Sequence, residues 1–219
     1  MGGKPILVRT LELFEGSSVI EGVVLVAAAS EQEACISLVK TCRFRKVRHV
    51  VPGGSSRHAS EYLGLLALEK EIDSGAVETV VVHDAVRPFV SRRELEAVVT
   101  TAQRVGAAIL AIPTEEHVVR IGEDGLLGAS ETDLWASQTP QAFRASLLLA
   151  AHRRAEREEF EGSDTSSVVE RFGARVEVVR GSAGNIKITS SDDLLRAEVL
   201  ASGFDIWVGN SEEDVVPDL

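Results

Sequence analysis

Four short stretches of the chain carry side chains that can do chemistry. Val80-Val81-Val82-His83-Asp84-Ala85-Val86-Arg87-Pro88-Phe89 is an apolar run that ends in a cluster of charge. At such a place a carboxylate like Asp84 can hold Mg²⁺ against nucleotide phosphates, and the planar fork of Arg87 can grip a phosphate. The same two residues also suit a structural ion pair that caps the following helix. In Pro52-Gly53-Gly54-Ser55-Ser56-Arg57-His58-Ala59-Ser60 the glycines permit close backbone approach. Serines and free N–H groups at a helix start suit a base, a ribose or a phosphate. An ordinary loop with a serine N-cap has the same composition. Gln138-Thr139-Pro140-Gln141-Ala142-Phe143 is the third stretch. The fourth is Gly184-Asn185-Ile186-Lys187-Ile188-Thr189, where Lys187 stands among apolar residues and is hard to explain as solvated surface.

These residues need a scaffold, and the surrounding pattern supplies one. Runs rich in β-branched residues at 22–28, 46–51, 79–83, 107–112, 175–179 and 186–189 read as strands. Between them, 31–42, 58–72, 92–105, 145–157, 166–172 and 192–201 show apolar residues at three-to-four spacing and read as amphipathic helices. The alternation predicts an α/β fold with a mostly parallel sheet. In such sheets ligands bind beyond the carboxyl ends of the strands, where Asp84 and Arg87 fall. Residues 114–135 break the rhythm with Val118-Val119-Arg120-Ile121 and a Glu123-Asp124-Gly125 turn, and predict a β-hairpin arm inserted between core elements. The domain is expected to span 1–203, with 204–219 a frayed acidic tail.

Composition narrows the partners. A chain of 219 residues with 44% hydrophobic content can bury one substantial core. A formal net charge of -11 leaves no broad basic face for a nucleic-acid backbone. A few local cations still suffice for a small anionic ligand. Cys35 and Cys42, about two turns apart in one predicted helix, are too distant to bridge. No run is long and apolar enough for a membrane span, and the N-terminus lacks a signal-peptide pattern, so a cytoplasmic location is the expectation.

In this order and spacing the four stretches resemble the 2-C-methyl-D-erythritol 4-phosphate cytidylyltransferases of the non-mevalonate isoprenoid pathway. The resemblance runs from Gly3-Lys4-Pro5-Ile6-Leu7 to about Leu200. It implies a Rossmann-like nucleotidyltransferase domain that transfers CMP from CTP to a polyol phosphate, with Mg²⁺ as cofactor and a homodimer built on the arm. By resemblance, Gly54, Ser55, Ser60 and Ala85 would contact CTP, Asp84 would bind the metal, and Lys187, Asp84 and Arg87 would carry catalysis. Arg87, Thr139, Ser163, Asp164 and His117 would face the acceptor. Enzymes that use ribitol 5-phosphate share most of the pattern, and Val86 in place of the commoner alanine leans toward them. A non-catalytic nucleotide-binding or interaction protein of the same fold is the alternative from a different class.

Two departures from the family pattern carry expectations of their own. Relatives open with a strand and a glycine-rich loop, Ala-Ala-Gly-x-Gly-x-Arg-Met, then Pro-Lys-Gln, whereas here Met1 leads directly into a predicted helix at 5–14. The chain is therefore expected to be N-terminally truncated and, as it stands, nearly inactive. In the arm, positions that bind the acceptor phosphate in relatives read Glu116-His117 and Glu131. Glu131 would repel a phosphate by on the order of 2–5 kcal/mol in a partly desolvated pocket, while a protonated His117 would partly substitute.

Overall fold

The computed structural model describes residues 2–114 and 116–208. Helix α1 (Ile6–Glu15) is followed by β1 (Val23–Ala27), a 3₁₀ turn at Ala29–Glu31, α2 (Gln32–Cys42), β2 (Val47–Pro52), α3 (Arg57–Leu66) and α4 (Glu69–Asp73). Then come β3 (Thr79–Val82), α5 (Arg92–Val105), β4 (Ala107–Pro113), β5 (Val118–Ile121), β6 (Leu127–Glu131) and β7 (Trp135–Arg144). The chain continues through α6 (Ala145–Arg157), α7 (Thr165–Arg171), β8 (Glu177–Arg180) and α8 (Ser191–Val208). The expected α/β architecture is present, with β5 and β6 forming the projecting hairpin.

The strands form a four-stranded sheet in the order β3-β7-β4-β8 and a separate parallel pair, β1-β2. Strand β8 runs parallel to β4, but β7 lies antiparallel to both β3 and β4. The sequence pattern hides β7, because Gln138, Thr139, Pro140 and Gln141 interrupt its apolar alternation. The interruption has a structural use. The register between β4 and β7 shifts where Ile109 pairs with Gln141 and Leu110 with Gln138, so Thr139 and Pro140 occupy the bulge, a place where proline costs no ladder bond.

Period-two alternation sends neighbouring residues of this sheet into two different cores. Phe143, Ala107 and Ile109 face Leu148, Leu149, Val168 and Val169 of α6 and α7. Ala142, Ala108 and Leu110 face Leu95, Val98 and Val99 of α5. Helix α5 is delimited locally: Ser91 and Glu94 form a capping box, and Gly106 closes the helix at φ 100°. Phe143 is fully buried between β3 and β4. Phe143→Ala is therefore expected to lower stability by about 3–5 kcal/mol, the transfer free energy plus the cavity left behind. Denaturant unfolding reads this directly, and a loss below about 1 kcal/mol would mean that the sheet is not packed as described.

Several boundaries differ from the sequence expectation. The helix expected at 58–72 is two helices, because a break after Leu66 lets Leu65 and Ile72 both enter the core beside Leu148. The segment 186–189 is not a strand; it is irregular, tied by the Ile188 N–H to the Val86 carbonyl at 3.0 Å. Helix α8 runs on to Val208, past the expected tail start at 204, and 209–219 lie outside the described residues. Cys35 and Cys42 are free, as expected. Among the described residues, no helix is long and apolar enough to cross a membrane.

Candidate active site

The site is assembled where β3 ends. Its last residue, Val82, leads into His83-Asp84-Ala85-Val86-Arg87, which turns so that the Arg87 N–H reaches the Asp84 carbonyl at 3.0 Å. His83 Nε2 lies 3.0 Å from the Arg87 carbonyl, which braces the turn from inside. Burial pushes His83 down to about 4, so the ring is a neutral structural element near pH 7. The hydroxyl of Thr139, on buried β7, accepts the Asp84 N–H at 3.0 Å. Thr139 thus fixes the backbone of Asp84.

Three cations converge on the Asp84 carboxylate. Lys187 Nζ stands 2.9 Å from Oδ2, and Arg87 Nε is 3.8 Å from the same oxygen. Arg57 Nε and Nη2 donate to Oδ1 at 3.4 Å each. Burial alone would raise the Asp84 pKa, but the Lys187 hydrogen bond and the charges of Arg57, Lys187 and Arg87 outweigh it and hold the carboxyl below its usual range. Arg87 also donates to the Asn185 carbonyl at 2.7 Å, and the Asn185 amide donates to the Thr139 carbonyl at 2.9 Å. These bonds attach the irregular 184–189 segment to the strand ends, which is how Lys187 comes to face Asp84.

The glycine–serine loop folds over the same end of the molecule. Ser56 caps α3 by accepting the Ala59 N–H, and Ser60 Oγ accepts the Gly54 N–H at 3.0 Å. A Cβ on Gly54 would stand 2.5 Å from Ala59 Cβ, so the close turn requires glycine there. Ser55 and Ala85 are both exposed. Asp164 is the N-cap of α7, accepting from the Ser167 N–H at 2.9 Å, from Gln141 Nε2 at 3.1 Å and from Ser137 Oγ at 3.2 Å, with Ser163 exposed beside it.

Arg57 joins these parts, although the sequence pattern alone does not single it out as a site residue. It reaches Asp84, the Thr165 hydroxyl of α7 at 3.4 Å, and Glu61 at 2.6 Å. A signal was available: a cation on the first turn of a helix opposes the helix dipole, so it needs another partner. His117 and Glu131 behave differently from the rest. They lie on the arm, where His117 meets Ser130 Oγ at 3.2 Å, and neither bonds to the Asp84 cluster among the described residues. Glu131 accepts from Arg120 Nε at 3.1 Å. Its carboxylate is thus paired within the hairpin, on the exposed face of the arm.

The donor set can be tested against Mg²⁺. No group of three or more His, Cys, Asp or Glu side chains suited to a metal occurs among the described residues. Mg²⁺ commonly takes only one or two carboxylates and fills its shell with water and phosphate oxygens. Asp84, ionised and half-buried among phosphate-seeking cations, fits that pattern.

Comparison with known proteins places the chain in a family. Residues 1–202 match the IspD family, 2-C-methyl-D-erythritol 4-phosphate cytidylyltransferase. The chain is similar to the enzyme of that name from Bacillus licheniformis, at 40% identity over 90% of this chain and 84% of the relative. It is also similar to that of Geobacter metallireducens, at 41% identity over 90% and 85%. Among solved structures, 4-diphosphocytidyl-2C-methyl-D-erythritol synthase from Anaerococcus prevotii superposes with a TM-score of 0.83, at 28% identity over 92% of this chain and 88% of that one.

Proposed function

The chain belongs to the 2-C-methyl-D-erythritol 4-phosphate cytidylyltransferase family, and from that membership we propose that it transfers CMP from CTP to 2-C-methyl-D-erythritol 4-phosphate, releasing pyrophosphate. The observation that carries this reading is the ring of Lys187, Arg87 and Arg57 around Asp84 at the end of β3. In the transfer, an acceptor phosphate oxygen forms a bond to the α-phosphorus while the bond to the pyrophosphate oxygen breaks. Positioning and cationic stabilisation supply most of the rate in such a step. Lys187 and Arg87 would face the charge that develops on the phosphates. Asp84 would hold Mg²⁺, which when bound offsets triphosphate charge.

The glycine–serine loop, with Gly54, Ser55 and Ser60, and the exposed Ala85 would form the cytidine side. Arg87, Ser163 and Asp164 would form the acceptor side, with Thr139 fixing Asp84 from beneath. His117 would reach an acceptor from the arm of a second copy in a homodimer. That dimer is supported by the exposed apolar residues on the hairpin, Ile121, Leu126 and Leu127, at 58%, 67% and 71% exposure, which cannot reach their own core. A cytoplasmic location suits both substrates.

The experiment is direct. The full product of its gene, with any residues encoded ahead of Met1, given CTP, methylerythritol phosphate and Mg²⁺, is expected to yield stoichiometric pyrophosphate and the cytidyl diphosphate product, and much less product with ribitol 5-phosphate. Preference for ribitol 5-phosphate would reassign the acceptor. No product with either would reject the transferase reading.

A further inference from the structure

Behind Arg57 lies a group of titratable side chains that the transfer itself does not use. Glu61, one turn further along α3, is only 9% exposed; it takes Arg57 Nη1 at 2.6 Å and the Thr165 hydroxyl at 3.0 Å. Beneath it, His152 of α6 is wholly buried, with Nε2 at 3.8 Å from Glu61 Oε2. The His152 ring stacks on His58, with centroids 4.6 Å apart, and on Tyr62 at 6.0 Å. None of the four ring nitrogens of these two histidines has a hydrogen-bond partner among the described residues.

This arrangement is more than an i,i+4 pair on a helix surface, which stabilises an isolated helix by only about 0.2–0.5 kcal/mol. A buried carboxylate over unbonded imidazoles costs desolvation that such a pair does not repay. Among the described residues its one close Arg or Lys partner is Arg57. That arginine stands on the first turn of α3, where the helix dipole disfavours it, and its other contacts, to Asp84 and Thr165, are long at 3.4 Å. Without Glu61 nothing close would fix the direction of the guanidinium.

We propose that Glu61 is a positioning residue, holding the Arg57 guanidinium at the phosphate side of the site over a floor formed by the stacked His58 and His152. The proposal rests on the reading of this site as one that binds CTP. Burial pushes Glu61 up to about 7 against the pull of Arg57, so its charge changes near neutral pH. Of the groups around it, three are moved away from that range. Burial and His58 push His152 down to about 4, while Asp84 and Asp164 are held below the carboxylate range. Glu156 touches the cluster at His58, at 3.8 Å. As pH falls through about 7, Glu61 takes a proton and Arg57 loses its ionic anchor.

The test compares wild type, Glu61→Gln, Arg57→Ala and the double variant by calorimetric titration with CTP and Mg²⁺ at pH 6 and pH 8. At pH 8 Glu61→Gln is expected to weaken CTP about tenfold, the scale of one charge-assisted hydrogen bond. At pH 6, where wild-type Glu61 is itself neutral, the two should bind alike within about twofold. Comparing them at each pH cancels titration of the CTP phosphates. In the Arg57→Ala background the glutamine should add nothing. Equal weakening at both pH values, or additive effects of the two substitutions, would make Glu61 a packing residue and overturn the proposal.

Stability offers a second readout that needs no substrate. The folded state holds the Glu61 proton more tightly than the unfolded chain, whose carboxyl titrates near 4.5. Stability from this group is therefore full below that value and falls as pH rises to about 7. The melting temperature of Glu61→Gln should accordingly gain on wild type between pH 5 and pH 8; a constant difference would refute the buried, proton-binding carboxylate. Wild-type protein that binds no CTP at either pH would reject the binding reading and the proposal together, whereas CTP binding without turnover would reject the transfer alone.

Discussion

Lys187→Ala is expected to lower kcat by about 10²–10³ while changing the KM for CTP by less than about threefold, the pattern of a cation that acts mainly as charge develops in the transition state. Lys187 is placed for that role by backbone, not by its own side chain. The Ile188 N–H binds the Val86 carbonyl, and the Thr189 and Ser190 N–H groups bind Asp193 Oδ2 at 2.9 Å each, at the start of α8. Truncation should leave this path intact, since the Lys187 side chain is 41% exposed and adds little to the core. A fall in rate would therefore report chemistry and not unfolding. Asp84 would keep Arg57 and Arg87, which explains why ground-state binding should survive. Single-turnover product formation with saturating CTP measures the effect. A loss of less than about tenfold would remove Lys187 from the reaction, and a purely KM-borne loss would make it a binding residue only.

Much of this site is legible in the sequence, for a physical reason. The Asp84–Arg87 turn, the Gly54 loop and Lys187 are each set by local chemistry: a strand end, a glycine forced by the Ala59 contact, and a cation among apolar neighbours. Local signals of that kind survive in one dimension. Strand β7 does not, because its polar residues serve tertiary purposes that no period reports. Gln141 binds Asp164, Thr139 binds the Asp84 N–H, and Gln138 Nε2 reaches the Ser182 carbonyl at 2.9 Å. Lys187 stands out as a cation among apolar neighbours, but it is exposed and on the wrong element, since 186–189 looks like a strand and makes no ladder. The Arg57–Glu61 pair is visible at i,i+4 spacing, but His152 beneath it comes from α6, about 90 residues away, and only the fold brings it there. Glu131 shows the converse: a repulsive role is expected from residue type alone, whereas the hairpin pairs Glu131 with Val118 and brings the Arg120 side chain across to its carboxylate.

Asp84→Asn is the substitution with the most informative sign. Asparagine keeps the shape of the side chain and leaves the Asp84 N–H bonded to Thr139, so the turn should persist. What changes is charge: Lys187, Arg87 and Arg57 lose the carboxylate they share. Two effects on CTP then oppose each other. Without metal, three cations freed from one carboxylate should grip the triphosphate more tightly, by about three- to tenfold for charge-assisted hydrogen bonds formed at a half-exposed site. With metal, the variant should fail to gain the further affinity that a carboxylate-held Mg²⁺ gives, because a neutral amide is a poor ligand for a hard cation. Wild type is therefore expected to bind CTP more tightly with Mg²⁺ than without it, and Asp84→Asn to bind almost equally in both. Turnover should fall by about 10² or more, since affinity gained in the ground state does nothing for the transition state. The crowding of like charges should also lower stability by about 1–3 kcal/mol, less than the cost of a fully buried unpaired charge because Lys187 and Arg57 reach solvent. Four calorimetric titrations, two proteins with and without Mg²⁺, read the sign of each effect. If Asp84→Asn kept the full Mg²⁺ dependence of wild type, the metal would be held by CTP alone, and Asp84 would be only the counter-ion that keeps three cations in place.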